Sequence, residues 1–356
     1  MVYEPVKARR GPAMSAAILN DPGQSGTVRR GSDNREGPGR TGKNREGGTE
    51  MEPAQVVAVV GATASGKSAY AVELAARVGG EIVSCDSMQV YRGMEIGTAQ
   101  PTPAEMGGVR HHLIGFADPC VPFSVADYVV AAEQAVKSIL ARGKIPVFCG
   151  GTGLYLDRFL MGGVTPEAET DAGLREELFS FAAVHGNEAL HTLLRDVDPE
   201  SAAQIHQNNV RRVVRALEIY RLTKVPKSEW DRRSRTAGER YRATVIGLDR
   251  PREDLYRRID ARAERMMAAG LCEEAERLRA DGVFEKNATA AQAIGYKEIL
   301  PYLAGRITRA DALEALKTAT RRYAKRQLTW FRGRGYVRWY AADDLPKEIG
   351  TWTFPT

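Results

Sequence analysis

Cysteine is scarce in this chain, four residues in 356. Cys85, Cys120, Cys149 and Cys272 form no C-x-x-C pair, and no histidine stands at metal-ligand spacing from any of them. That argues against a disulfide framework and against a structural zinc site, and free thiols fit a reducing, cytoplasmic setting. Long apolar runs are also missing. The longest all-aliphatic stretch is Val56–Val60, whereas a membrane-spanning helix needs about 20 apolar residues. The opening MVYEPVKARRGPAMSAAILN has basic residues but only a brief, Ser-interrupted apolar stretch, unlike a signal peptide. Charge of one sign does not dominate either: 51 Lys and Arg face 45 Asp and Glu, a formal net charge of +6. Where the charge sits therefore matters more than its total. What is present is 43% hydrophobic residues, enough for one large or two modest domains with a core. Disordered and collagen-like classes are excluded for the bulk of the chain.

Residues 1–50 differ from the rest, with nine Gly, four Pro and only five residues of the Val, Ile, Leu and Phe set. Such a stretch cannot bury enough surface to offset its ordering entropy, and it is expected to be a disordered basic extension. The compact pattern begins at Met51, which is expected to be the translation start. Gln55–Val60 reads as a buried strand, Gly66–Val78 as a helix, Glu81–Ser84 as a second strand and Ser124–Arg142 as a helix capped by Ser124. Pro146–Cys149 is a third strand. Strands alternating with helices predict an α/β fold with a parallel, doubly wound sheet. From about Thr165 to Arg235 only helical periodicity is found, clearest at Asn209–Leu222. Ala243–Leu248 returns as a strand, Pro251–Ala280 and Arg309–Phe331 as long amphipathic helices, and Tyr336–Tyr340 as a last strand. The division expected is a core over 51–164, a helical insertion domain over 165–240, a second part of the core with basic C-terminal helices over 241–345, and a tail over 346–356.

Gly61, Ala62, Thr63, Ala64, Ser65, Gly66, Lys67 and Ser68 match G-x-x-x-x-G-K-[ST] at every fixed position, between a predicted strand and a predicted helix. The glycines let successive backbone N–H groups turn towards an anion, and the helix N-terminus adds its positive dipole end. Lys67 supplies a mobile charge and the Ser68 hydroxyl a ligand for Mg²⁺. The loop predicts binding of a di- or triphosphate. It does not by itself predict phosphoryl transfer, because no apolar strand ends in a Walker-B acid other than Ile82–Asp86.

Asp86 and Thr152 close the second and third strands, and the carboxyl ends of neighbouring strands converge on the crevice that holds the phosphate loop. A carboxylate there can act as general base and a threonine hydroxyl can orient a nucleophile; turn formation is the alternative for Asp86, and a tight strand-to-helix turn for Gly150–Gly153. Basic residues cluster three times: Lys317, Arg321, Arg322, Lys325, Arg326, Arg332, Arg334 and Arg338 interleaved with aromatics and free of acids, then Arg211, Arg212 and Arg215, then Arg232, Arg233, Arg235, Arg240 and Arg242. Arginines bind phosphate backbones and aromatic rings stack on unpaired bases, although a solvated basic face would look the same. His111-His112 has no third ligand at local spacing, so no metal is assigned there.

Taken together, VVAVVGATASGKS, EIVSCDSMQVYRGMEIGTAQP, HHLI, FSVADY, PVFCGGTGLYL, NNVRRVVRALEIY, IGLDRPREDLYRRIDAR, AQAIGYKE and RYAKRQLTWFR resemble the tRNA dimethylallyltransferase family, the bacterial tRNA isopentenyltransferases. The resemblance spans residues 56–332. It implies a P-loop NTPase-like core with a helical insertion and a channel. It implies transfer of a dimethylallyl group from its diphosphate to the exocyclic amine of the adenine 3′ of the anticodon, assisted by Mg²⁺, in tRNAs reading codons that start with U. It also implies a monomer with no obligate protein partner and no membrane association. Carried onto this chain, Thr63–Ser68 and Arg262 would hold the diphosphate, Asp86 would be the general base and Thr152 its neighbour. Contacts to the tRNA anticodon stem-loop would come from Asp86, Ser87, Met88, Gln89, Thr152, Arg175, Arg211, Arg212, Val213, Val214, Arg215, Gln292, Ala293, Ile294, Gly295, Tyr296 and Lys297. Three positions depart from the family pattern: Ala62 for Pro, Gly115 for Asp and Arg211 for Gln. The rival readings are an isopentenyltransferase acting on free adenine nucleotide, a P-loop small-molecule kinase, and an RNA-binding protein with an inactive loop. Residues 1–50 are expected to be dispensable for catalysis, the alternative being a basic arm that touches tRNA.

Overall fold

The computed structural model describes residues 54–161, 171–236 and 241–345. The expectations for residues 1–50, for the borders of the insertion at 162–170 and 237–240, and for the tail at 346–356 fall outside the described residues.

Six strands form one parallel sheet: β1 (Gln55–Gly61), β2 (Glu81–Cys85), β3 (His111–His112), β4 (Pro146–Gly150), β5 (Arg242–Asp249) and β6 (Val337–Ala341). The spatial order is β3-β2-β4-β1-β5-β6. β1 is central, paired with β4 from Val57↔Val147 to Val60↔Gly150 and with β5 along its whole length. Both faces of a parallel sheet are covered by helices, which is why β1 reads QVVAVVG with no polar alternation. Val56, Ala58 and Val60 face one core with Tyr128, Phe148 and Phe159; Val57 and Val59 face another with Leu74, Ile82 and Leu248.

The strands and helices expected from the sequence are found with shifts of about one residue, as element ends allow. Ser124 caps its helix, accepting from the Asp127 N–H while Asp127 bonds back to the Ser124 N–H. Two readings need correction. The single helix expected over Pro251–Ala280 is two, Arg252–Ala268 and Leu271–Ala280, because Gly270 takes φ +102°, a left-handed value that stops the first and caps the second. The two-residue β3 was not foreseen; it is too short to show a period.

After β4 the helix Gly153–Leu160 packs on the sheet, and from 171 to 236 the described chain is helical: Ala172–His185, Asn187–Val197, Pro199–Gln204, Val210–Thr223 and Lys227–Thr236. The first four pack on their own apolar cluster, in which Leu178, Leu190, Leu194, Val213 and Leu217 are buried. Each such leucine contributes about 1.5–3 kcal/mol over leaving it exposed. One long helix, Arg309–Arg332, then crosses back over the phosphate loop, and its Ala324 packs with Ala62, Leu255 and Ile259. Ala62 is buried in that contact.

Candidate active site

The phosphate loop follows β1 and opens the helix Lys67–Arg77, with Gly66 at its N-cap at φ +97°. Ala64 is also left-handed, at φ +63°, a conformation costing a non-glycine residue about 1–2 kcal/mol. Two arginines hold the loop from outside: Arg250 Nε donates to the Ser65 carbonyl at 2.7 Å and Arg258 Nε to the Ala64 carbonyl at 3.0 Å. Inside, Lys67 Nζ donates to the Ala62 carbonyl at 3.1 Å and Arg262 donates to Thr63 Oγ1 at 3.2 Å.

Thr63, Lys67, Ser68 and Arg262 line one cavity of about 300 Å³. Asp86, Ser87, Met88 and Gln89, directly after β2, line it too, as do Gln292, Ala293 and Ile294 from the segment before the helix Tyr296–Leu303 and Lys297 from its first turn. An apolar stretch of wall comes from Ile259, Ala263, Met266 and Leu316. Asp86 is the one carboxylate among the described lining residues. Its Oδ1 accepts the Met88 and Gln89 N–H groups at 2.9 and 3.3 Å, so it both shapes its turn and faces the cavity. Desolvation pushes the pKa values of Lys67 and Arg262 down, and the Asp86 charge opposes that for both. A cation-rich cavity with a single acid is matched to an anionic ligand.

Thr152 stands one layer behind the wall. Its Oγ1 accepts the Ser87 N–H at 3.0 Å, and its own N–H donates to the Cys85 carbonyl at 3.1 Å. The run Gly150–Gly153 serves packing as well as presentation, since a Cβ on Gly150 would meet the Cys85 carbonyl oxygen at 2.0 Å.

The helix Arg309–Arg332 brings Tyr323, Arg326 and Gln327 to the cavity; sequence reasoning places Arg326 only in a basic tract and assigns no role to Tyr323 or Gln327. Their i, i+3, i+4 spacing within RYAKRQLTWFR was the available signal, since it puts them on one helix face. Burial raises the Tyr323 phenol pKa, with the Asp86 charge adding to it and bonding to Thr152 opposing it. Arg326 lies over the Tyr323 ring at 5.6 Å.

Several expected tRNA contacts are placed elsewhere. Val213 and Val214 are buried in the helical cluster, and Tyr296 in a separate apolar cluster with Met94, Leu271 and Ile299, where its hydroxyl donates to Glu274 at 2.7 Å; these side chains pack rather than face a ligand. Gly295 is buried at the N-cap of its helix. Arg175 and Arg215 converge on the buried Glu218 at 2.9 and 2.6 Å, so both hold the helical segment together. Arg211 and Arg212 are exposed, with no acidic partner among the described residues.

The basic tracts are also less free than their sequence suggests. Arg321 pairs with Asp260, Arg332 with Asp249, Arg334 with Asp157, and Lys317 with Glu264 and Glu314. Arg232 and Arg233 pair with Glu229. The two histidines part company: His111 lines the cavity and bonds the Val109 carbonyl at 2.8 Å, while His112 bonds the buried Glu81 at 2.7 Å. No cluster of three or more His, Cys, Asp or Glu able to hold a metal occurs among the described residues.

The IPP transferase family matches residues 89–334. The chain belongs to that family. It is 47% identical over 293 residues to the tRNA dimethylallyltransferase of Geobacillus thermodenitrificans, covering 82% of this chain and 92% of that one. The crystal structure of the full-length tRNA isopentenylpyrophosphate transferase from Bacillus halodurans superposes with a TM-score of 0.60 at 45% identity, covering 81% and 90% of the two chains. A eukaryotic dimethylallyltransferase acting on tRNA gives a TM-score of 0.71 at 29% identity, covering 83% and 75%. The α/β, P-loop NTPase-like fold expected from the sequence is the fold of this IPP transferase.

Proposed function

We infer that the protein is a prenyl transferase that moves a dimethylallyl group from dimethylallyl diphosphate to the exocyclic N6 amine of the adenine 3′ of the anticodon, in tRNAs reading codons that begin with U. The observation that carries this reading is a single cavity shared by a phosphate loop with its arginine and by a carboxylate at a strand end. Family membership supports the transfer chemistry, and the names of the relatives supply the tRNA substrate.

The donor's diphosphate lies against Lys67, Arg262 and the loop amides, and its prenyl tail against Ile259, Ala263, Met266 and Leu316. The adenine enters from the Asp86 side. Its amine is a poor nucleophile because the lone pair is delocalised into the ring. As the N–C bond forms and the allylic C–O bond breaks, Asp86 takes the amine proton. The allylic carbon tolerates positive charge, so the main demand is on stabilising the departing diphosphate, which the two cations and the loop meet. The target base must leave its stack to reach the cavity.

Mg²⁺ fits the donor set. Ser68 brings a hard hydroxyl oxygen to the cavity, and Mg²⁺ takes few protein ligands besides substrate phosphates. When bound, it would neutralise charge on the leaving diphosphate. Among the described residues no helix is long and apolar enough to cross a membrane, and the four cysteines are free. These facts and the tRNA substrate support a cytoplasmic enzyme, taken as a monomer without an obligate protein partner.

The test is to incubate the protein with dimethylallyl diphosphate and, separately, unmodified tRNA or free AMP, and with ATP plus candidate acceptors. Prenylated tRNA supports the assignment. Prenylated AMP alone would favour the nucleotide-directed enzyme, phosphorylated acceptor a kinase, and no product at all an inactive RNA-binding protein.

A further inference from the structure

We propose that Gln327 is a positioning residue that sets the distance between the donor and acceptor halves of the site. Its side-chain amide uses both ends. Oε1 accepts the Thr63 N–H of the phosphate loop at 2.8 Å, and Nε2 donates to the Gly151 carbonyl beside Thr152 at 3.0 Å. The residue is 4% exposed, and a Cβ on Gly151 would stand 1.9 Å from Nε2, so the amide reaches this turn only because position 151 is glycine.

The bridge has two consequences. First, the Thr63 N–H is held by Gln327 and the Thr63 hydroxyl by Arg262, so Thr63 anchors the loop and leaves diphosphate binding to Lys67, Arg262 and the later amides. Second, the diphosphate loop and the Gly151-Thr152 turn are referenced to one rigid helix. The Thr152 hydroxyl in turn holds the Ser87 N–H beside Asp86, so Gln327 links the two halves of the site through these bonds. A displacement of about 1 Å between reacting groups costs on the order of a hundredfold in rate.

This inference rests on the transferase reading, and the wild-type protein, assayed for prenylated tRNA in parallel, tests that reading separately. Gln327→Met keeps the length of the side chain and removes both hydrogen bonds. It should lower kcat about tenfold to a hundredfold while KM for dimethylallyl diphosphate and for tRNA stays within about twofold. Gln327→Glu, when ionised, accepts from Thr63 but cannot donate to Gly151; when protonated it can do both. Its kcat relative to wild type should therefore rise as pH falls, whereas that of Gln327→Met should be flat. Lys67, Asp86, His111, Cys149, Arg262, Lys297, Tyr323 and Arg326 share the cavity with Gln327, and Gln327→Met, which adds no charge beside them, is the reference that reports their own contribution to the pH profile. Wild-type kcat in Gln327→Met would overturn the proposal. So would equal, pH-independent losses in both variants, which would mark Gln327 as packing only.

Discussion

Thr152 Oγ1 accepts the backbone N–H of Ser87 at 3.0 Å, and this bond joins the end of β4 to the end of β2 next to Asp86. Thr152 thereby acts on the carboxylate's surroundings through the backbone. Thr152→Val keeps the shape and removes the acceptor. It should lower kcat about tenfold, in line with loss of one positioning bond, and leave dimethylallyl diphosphate binding near normal. Single-turnover kinetics at saturating donor would show this.

Asp86→Asn should cost about two to four orders of magnitude in kcat, the usual worth of a positioned general base. The asparagine Oδ1 can still accept the Met88 and Gln89 N–H groups, so the turn should survive and tRNA affinity should change little. Near-normal turnover would remove Asp86 from the chemistry.

Lys67→Ala and Arg262→Ala should weaken handling of dimethylallyl diphosphate with tRNA affinity nearly intact, because both cations lie at the phosphate-loop end of the cavity. Loss of tRNA binding with normal diphosphate kinetics would invert the assignment of the two ends.

Glu81 offers a pH test of the fold. Burial opposes its ionisation, but bonds from Arg142, His112 and Lys144 outweigh it and hold the carboxyl down to about 2, against an ordinary 4.5. A depressed folded pKa adds stability that is fully present above the unfolded value. That contribution is lost as pH falls from about 4.5 towards about 2. Glu81→Gln should lower stability at neutral pH by about 2 kcal/mol, the scale of lost charge-assisted bonds. It should also flatten the acid limb of thermal stability, which melting curves across that window would reveal.

The phosphate loop and the sheet were readable because a local pattern encodes them: Gly61–Ser68 is contiguous, and β1 is a continuous apolar run. Asp86 and Thr152 were readable because strand ends converge in a parallel sheet. Gln327 was not, since its partners Thr63 and Gly151 are 264 and 176 residues away and only the crossing of the last helix brings them together. The arginines misled for a related reason. A run of cations without acids looks free along the chain, but Asp157, Asp249 and Asp260 arrive from other elements.

That distinction separates the arginines of the helix Val210–Thr223. Arg211 and Arg212 are exposed without an acidic partner among the described residues, whereas Arg215 donates to the buried Glu218 at 2.6 Å, which also takes Arg175. If tRNA phosphates are neutralised here, log affinity should fall linearly with log salt, and removing one contact should reduce the slope by about one unit. Arg211→Ala and Arg212→Ala should therefore each flatten the salt dependence and leave the melting temperature unchanged. Arg215→Ala should instead lower the melting temperature, because it deprives a buried carboxylate of one of its two cations. A fluorescence titration of tRNA at several salt concentrations, with a melt for each variant, tests all three. The same salt slope in every variant would place the tRNA backbone on another face. Unchanged stability in Arg215→Ala would return that residue to the RNA-binding set.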